Sequence, residues 1–447
     1  MFGTFHIAAK CILGCGLALA VLALFGSAYA KSTEKVLYAF TGGASDGALP
    51  AAGMIADGEG NLYGTTSEGG GTGCGGVGCG TVFELSPLQG GGWNESVLYK
   101  FLGGTDGADP DVTLIVDGAG NLYGTTSLGG SDNCGAGSGC GIVFEISPQK
   151  RGWKEKVLYS FTTKSRDDRD VTVQPPQITK PDVWAPNGVV FGSDGNLYGF
   201  AFLGGRCEQN GHLIACYGGG FELKKPSRPR GAWNEKVIYR VKDLANGGPE
   251  GPPIFDASGN LYGVTVGANY GSVFALQPPA AKGAWTESSL YTFQGGSDGG
   301  YPAPGLVFDA SGNLYGATTG YNSLAGNVIE LTPAQNGAWN ETPLWTFTNS
   351  AEGSTPTAVP VLDAAGDFYG MTQAGGQNNL GVVYELSPQN GGWNETVLYS
   401  FAGGGDGATP QGTLLDSNGV MYGTTSAGGN GGCFDNAGCG TVFEVVP

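Results

Sequence analysis

Histidine is almost absent. The 447-residue chain has two, and only His212 lies beyond the first thirty residues. That excludes multi-histidine metal sites and leaves little room for a Ser-His-Asp triad. Basic residues are also scarce, 21 Lys and Arg against 39 Asp and Glu, for a net charge of −18. Such a surface repels nucleic acid and anionic membranes, so no nucleic-acid partner is expected. Long apolar runs are missing after residue 30, so no membrane span is expected in the mature chain. What is abundant is glycine, 85 residues. Glycine costs about 1 kcal/mol at each helix position, which argues against long helices. No Gly-X-Y period is present, which excludes collagen. The hydrophobic share of 40% and the aromatic share of 11% are enough for a packed core. A chain of many short strands separated by glycine turns remains.

The first thirty residues read as a secretory signal peptide. Lys10 is their one charge, an apolar run covers Cys11 to Phe25, and Ala28-Tyr29-Ala30 is a small-x-small cleavage pattern. Residues 31–447 then form the mature chain, and a secreted or extracytoplasmic location is expected.

Seven internal repeats follow. Asn61-Leu62-Tyr63-Gly64 recurs at Asn121, Asn196, Asn260 and Asn313, with weaker copies ending in Tyr369-Gly370 and Tyr422-Gly423. Each unit holds four strand-like runs. The first is Val-Leu-Tyr-x-Phe, as at Val36 and Val97. The second ends in Asp before a glycine turn, as at Asp309. The third is the Asn-Leu-Tyr-Gly run, and the fourth resembles Thr81-Val82-Phe83-Glu84-Leu85. Asp-x-x-Gly-Asn between the second and third reads as a tight hairpin. Four strands repeated seven times predict an all-β fold, a seven-bladed β-propeller of four-stranded blades, in a single domain over 31–447. A β-solenoid is the rival, but its coils are usually shorter. The chain opens with one Val-Leu-Tyr-Ala-Phe run and ends with the other three runs. The N-terminal strand is therefore predicted to close the last blade, pairing residues 36–40 with 441–445. A monomer is expected.

The repeated runs, with an Asp-Gly-x-x-Pro loop and a Gly-Gly loop between them, resemble the GloVer tandem-repeat proteins, exported bacterial proteins described as carrying a "choice of anchor". The resemblance covers nearly all of 33–447. It implies export and a propeller-like array, and it implies no agreed activity. Members often end in a sorting segment, whereas this sequence stops at Pro447 directly after a strand.

Eight cysteines fall in four close pairs: Cys74/Cys79, Cys134/Cys140, Cys207/Cys216 and Cys433/Cys439. Even count, local pairing and an export signal read as four disulfides, each stapling a loop between the third and fourth runs. Zinc is the rival and would need pairs from different blades to converge. The pairs lie in units 7, 1, 2 and 3, so half of one face carries elaborated loops.

Candidate ligand-binding residues are expected on the same face as those loops. Asp46, Asp106, Asp298 and Asp406 belong to the Asp-Gly-x-x-Pro loops, with Glu250 and Glu352 in equivalent loops. They precede the innermost strand and are expected to ring the channel mouth. The bland reading is a turn in which Asp accepts backbone hydrogen bonds. The functional reading is a cation-attracting rim, with calcium the ion it would take if several carboxylates converge. No other cofactor is predicted. The longest unit carries an insertion, about 162–185, with Arg166, Asp168, Arg169 and Trp184. With His212 in the Cys207–Cys216 loop, it forms a candidate ligand rim. The Asp57 series and the Glu84 series read as structural acceptors. Trp93, Trp153, Trp233, Trp285, Trp339 and Trp393 read as blade-to-blade packing, with sugar stacking the alternative. The leading function is a non-catalytic exported binding protein with an acidic, loop-rich face for carbohydrate or protein ligands. A glycan hydrolase or lyase using rim carboxylates is the alternative, and a cell-surface scaffold is the second.

Overall fold

The computed structural model describes residues 32–447, apart from 163–182 and shorter stretches at 132–133, 135–137, 206, 211–212, 229–230, 243–246, 268, 282, 321–325, 349–350, 430 and 434–436. The described residues form one compact unit. Seven small antiparallel sheets are arranged as a seven-bladed β-propeller. Blade 1 shows the plan: Ile55–Ala56 innermost, then Leu62–Thr66, Thr81–Pro87 and Trp93–Lys100 outermost. Blade 7 takes three strands from the C-terminal end and its outermost strand, Thr33–Ala39, from the other end of the chain. Its register runs from Thr33 opposite Val446 to Ala39 opposite Thr441. The ring is thus closed as the sequence predicts.

The motifs have local physical causes. Asp57 Oδ1 accepts from the backbone N–H of Glu59 and of Asn61, each at 2.9 Å, and Asp57 Oδ2 accepts from Asn61 Nδ2 and Tyr63 Oη. Burial works against the Asp57 charge, but these hydrogen bonds outweigh it and hold the carboxyl below its usual range. The turn is therefore an Asx-type hairpin, repeated at Asp117, Asp256 and Asp309. The glycine of Asn-Leu-Tyr-Gly does a different job. A Cβ on Gly64 would stand 2.6 Å from Phe83 Cζ, so the glycine is the seat for the aromatic ring of the next strand. Phe83 in turn meets Phe40, which ends the outermost strand of the preceding blade, edge to face at 5.1 Å. Phe101 with Phe144 and Phe401 with Phe443 repeat the contact. These fully buried rings are the cement between blades. The outer two strands share a bulge that leaves Leu98 unpaired between Val97 and Tyr99. The tryptophans seal the other end of the junction. Trp93 packs on Tyr422, Trp153 on Tyr63 and Trp339 on Tyr262, each across a blade boundary.

Candidate functional site

A cavity of about 290 Å³ occupies the axis of the ring, and all seven blades line it. Its position follows from one repeated backbone feature. In six blades the residue before a proline has positive φ although it is not glycine: Leu49, Asp109, Ala185, Tyr301, Thr355 and Thr409, with φ from 52 to 60°. Such a conformation costs about 1–3 kcal/mol per residue and persists only where surroundings enforce it. Here they do. The Leu49 N–H donates to Cys439 O at 2.9 Å, Asp109 N–H to Cys79 O at 3.0 Å and Ala185 N–H to Cys140 O at 3.0 Å. Each is a backbone hydrogen bond to the preceding blade, and the proline that follows starts the descent into the channel.

In five of these blades the residue after that proline faces the axis, and so does Glu250, which follows Pro249. Around the ring, Ala51, Asp111, Asn187, Glu250, Thr357 and Gln411 line the cavity. Five of them are polar in a position that is otherwise alanine. Asn187 is held by a hydrogen bond from Nδ2 to Pro249 O, 3.0 Å away in the next blade, and the Thr357 hydroxyl donates to Gly412 O at 3.3 Å. Among the described residues no basic side chain lines the cavity. Asp111 is exposed to the channel, and the walls of the seven blades stand around it. Desolvation by those walls pushes its carboxyl up to about 7, and the negative charges of Asp109 and Glu250 add to the rise. Burial also raises Asp109 and Glu250. The site can hydrogen-bond hydroxyl or ammonium groups through neutral amides and hydroxyls, and through carboxyls that take up protons readily.

The sequence-predicted residues lie elsewhere, apart from Glu250. Asp46 is buried and fully engaged, accepting from Tyr38 Oη at 3.0 Å, Thr41 N–H at 2.7 Å, Thr41 Oγ1 at 2.8 Å and Gly47 N–H at 2.7 Å. Asp106 accepts from Tyr99 and the Leu102 N–H, Asp298 from Tyr291 and the Gln294 N–H, and Asp406 from Tyr399 and the Ala402 N–H. Each ties the end of an outermost strand to its own loop, and none of the four lines the axial cavity. Trp184 is half-buried on the innermost strand of blade 3, opposite Leu203. Arg166, Asp168, Arg169 and His212 lie outside the described residues. Cys74–Cys79, Cys134–Cys140 and Cys433–Cys439 are disulfides. Cys207 and Cys216 pair in register across a small hairpin, with side chains outside the described ones. Among the described residues no group of three or more His, Cys, Asp or Glu side chains could hold a metal ion, and no helix is long and apolar enough to cross a membrane. Three disulfides are compatible with an extracytoplasmic location.

Sequence reasoning missed the post-proline ring. Its signal is variation: inside a repeat whose prolines recur, the next residue reads Ala51, Asp111, Asn187, Glu250, Ala303, Thr357, Gln411.

Fold and axial site define a seven-bladed β-propeller with a polar, acid-bearing channel. More narrowly, the chain belongs to the Gloeobacter/Verrucomicrobia repeat family, whose model matches residues 23–173 and 228–443. No curated protein matches it. Among solved structures it is similar to a fungal alcohol oxidase of the AA5 family in complex with copper, at 14% identity and TM-score 0.54, over 93% of this chain and 77% of that one. It is also similar to the PQQ-bound aldose sugar dehydrogenase of Streptomyces coelicolor, at 12% identity and TM-score 0.41, over 93% and 99% of the two chains. A luciferin-regenerating enzyme matches at 12% identity and TM-score 0.42, over 93% and 95%. The likeness to the oxidase is one of fold alone, and the other two carry no inference.

Proposed function

We propose that the protein is an exported binding protein that holds a small polyhydroxylated ligand, a saccharide or the end of a glycan chain, in the axial channel. The observation that carries this is the ring of Asp111, Asn187, Glu250, Thr357 and Gln411 around one cavity. Carboxylates, amides and hydroxyls are the side chains that match both the donors and the acceptors of sugar hydroxyls. The cavity sits at the lower end of the ~300–1,000 Å³ range of small-molecule pockets, which suits a monosaccharide-sized unit. The N-terminal segment and the disulfides support export. The loop-rich face around 162–185 is the second place where a carbohydrate or protein ligand would engage.

The test is a glycan array followed by calorimetry on the purified chain. Binding of a mono- or oligosaccharide that falls about tenfold or more in Asp111→Ala and Glu250→Ala supports the reading, as expected for hydrogen bonds to charged groups worth about 1.5–3 kcal/mol. Binding untouched by both substitutions, or no saccharide bound at millimolar concentration, rejects it.

One observation favours a second reading. A carboxyl raised to about 7 beside other carboxylates is a proton donor at neutral pH, which is the pattern of a glycan-cleaving acid pair. Polysaccharide turnover abolished by Asp111→Asn would establish it.

A further inference from the structure

A second groove, of about 480 Å³, runs along the outer edge of blade 3 where blade 4 begins. Its walls are the outermost strand of blade 3, Asn234–Arg240, with its extension through Val241 and Lys242, and the segment Gly283–Trp285 that opens the outermost strand of blade 4. Lys236, Arg240 and Lys242 line it, and among the described residues no acidic side chain does. This stands out against the rest of the molecule. At other junctions the outermost strands bring acid to acid: Glu95 faces Asp46, Glu155 faces Asp106, and Glu341 faces Asp298. At the blade 3–4 junction the equivalent glutamate, Glu287, meets Lys242 instead, at 3.6 Å. Lys242 is thereby ion-paired, while Lys236 and Arg240 keep the groove positive in a chain of net charge −18. Glu222 lies across the strand pair from Lys236, and its own ion pair is with Lys224 at 4.0 Å. The Nε atom of Arg240 is buried and has no hydrogen-bond partner among the described residues. A buried guanidinium N–H without an acceptor is costly, and an oxyanion is the partner it fits. Trp285 adds an aromatic surface to the same groove. Its ring contacts Tyr198 at 6.0 Å, which fixes its position.

We infer that this groove is a binding site for an acidic polysaccharide, a chain bearing carboxylate or sulfate groups. Arg240 takes an oxyanion through its fork, Lys236 and Lys242 supply the surrounding field, and Trp285 packs against a sugar ring. The elongated, cation-lined edge suits a chain passing across the blade rather than a chain end. It is thus separate from the axial site and stands or falls independently of it.

The test uses the full secreted chain with polygalacturonate and dextran sulfate as probes, neutral dextran as the uncharged control and polyglutamate as an acidic peptide control. Affinity is read by biolayer interferometry at two salt concentrations. The expected result is salt-sensitive binding of at least one acidic polysaccharide, weak binding of polyglutamate and none of dextran. Arg240→Gln and the double variant Lys236→Gln/Lys242→Gln should each lower affinity about tenfold, and Trp285→Phe should lower saccharide binding without changing the salt dependence. Arg240→Lys keeps the charge and controls for folding; it should recover part of the affinity. Asp111→Ala should leave this binding intact, so the outcome is distinct from that of the channel. Equal binding of polyglutamate, no binding of either polysaccharide, or affinity unchanged in the groove variants overturns the inference.

Discussion

Gly80 lies against the ring of Pro110 in the next blade, so closely that a Cβ on Gly80 would stand 2.5 Å from Pro110 Cδ. Gly141 with Pro186, Gly381 with Pro410 and Gly440 with Pro50 repeat the relationship around the ring. Gly80 also has φ of +95°. Gly80→Ala is therefore expected to cost about 3 kcal/mol, from backbone strain and from overpacking against both Pro110 and Thr66 O, which a Cβ would approach to 2.4 Å. Gly60 has a similar φ of +86° but nothing within 4 Å of its Cβ position. Gly60→Ala should cost about 1 kcal/mol from strain alone. Urea denaturation of both variants separates the two contributions. Equal losses would show that the glycine–proline contact does not hold the blades.

Ring closure makes a second prediction. Residues 33–39 hydrogen-bond to 441–446, and Phe40 caps the core between blades 7 and 1. A chain beginning after residue 40 exposes the edge of Thr441–Val446 and opens the ring. It is expected to lose cooperative thermal unfolding and to associate, as read by differential scanning calorimetry and size-exclusion chromatography. Adding back a synthetic peptide of residues 32–41 should restore the transition. An unchanged transition in the shortened chain would refute strand-closure as a source of stability.

The outer junctions predict an acid preference. Burial pushes Glu95, Glu155 and Glu341 up to about 7, with Asp46, Asp106 and Asp298 adding like charge from across the blade boundary. Glu34, beside Asp406, and Glu395, beside Glu352, rise to about 7 in the same way. A carboxyl raised in the folded state binds its proton more tightly there than in the unfolded chain. Its contribution is complete below the unfolded value near 4.5 and is lost as pH rises through about 7. The melting temperature should therefore climb as pH falls from 8 to about 5. Glu95→Gln should raise it at pH 8 and reduce its pH dependence. A melting temperature flat over that interval would contradict this.

The disulfides should matter modestly. Cys74–Cys79 and Cys433–Cys439 close loops with sequence separations of 5 and 6. Loops that short contribute about 2 kcal/mol each. Cys79→Ser is expected to lower stability by about that amount and to leave the circular dichroism spectrum of the folded protein unchanged. Loss of the folded state on substitution would mean that the staple carries more of the blade than its length implies.

Most of the architecture is legible in the sequence because it is local and repeated. Strand order, hairpin turns and the closing strand follow from motifs that recur in each unit, and Asp57 does in space what Asp-x-x-Gly-Asn suggests on paper. The site is less legible. Asp46 is a conspicuous carboxylate, but Tyr38 and Thr41 take it up, and nothing in the spacing reveals that those hydroxyls lie within reach. Asp111 is inconspicuous because its position has no motif. It lies on the axis two residues after Asp109, whose positive φ goes with a backbone hydrogen bond to Cys79 of the neighbouring blade. Such a dependence runs between repeats, whereas sequence patterns are read within them.

The strained residue before each channel proline separates what folds the ring from what the ring presents. The backbone kink, the hydrogen bond to the preceding blade and the glycine–proline contact are made by main-chain atoms and ring carbons. The following side chain contributes little to them. Six blades thus each offer one side chain to a single cavity, and at Asn187 and Thr357 that side chain also bonds to the next blade. A lineage, or a protein engineer, can rewrite the ligand preference of such a ring one blade at a time, most freely at the positions that make no such bond.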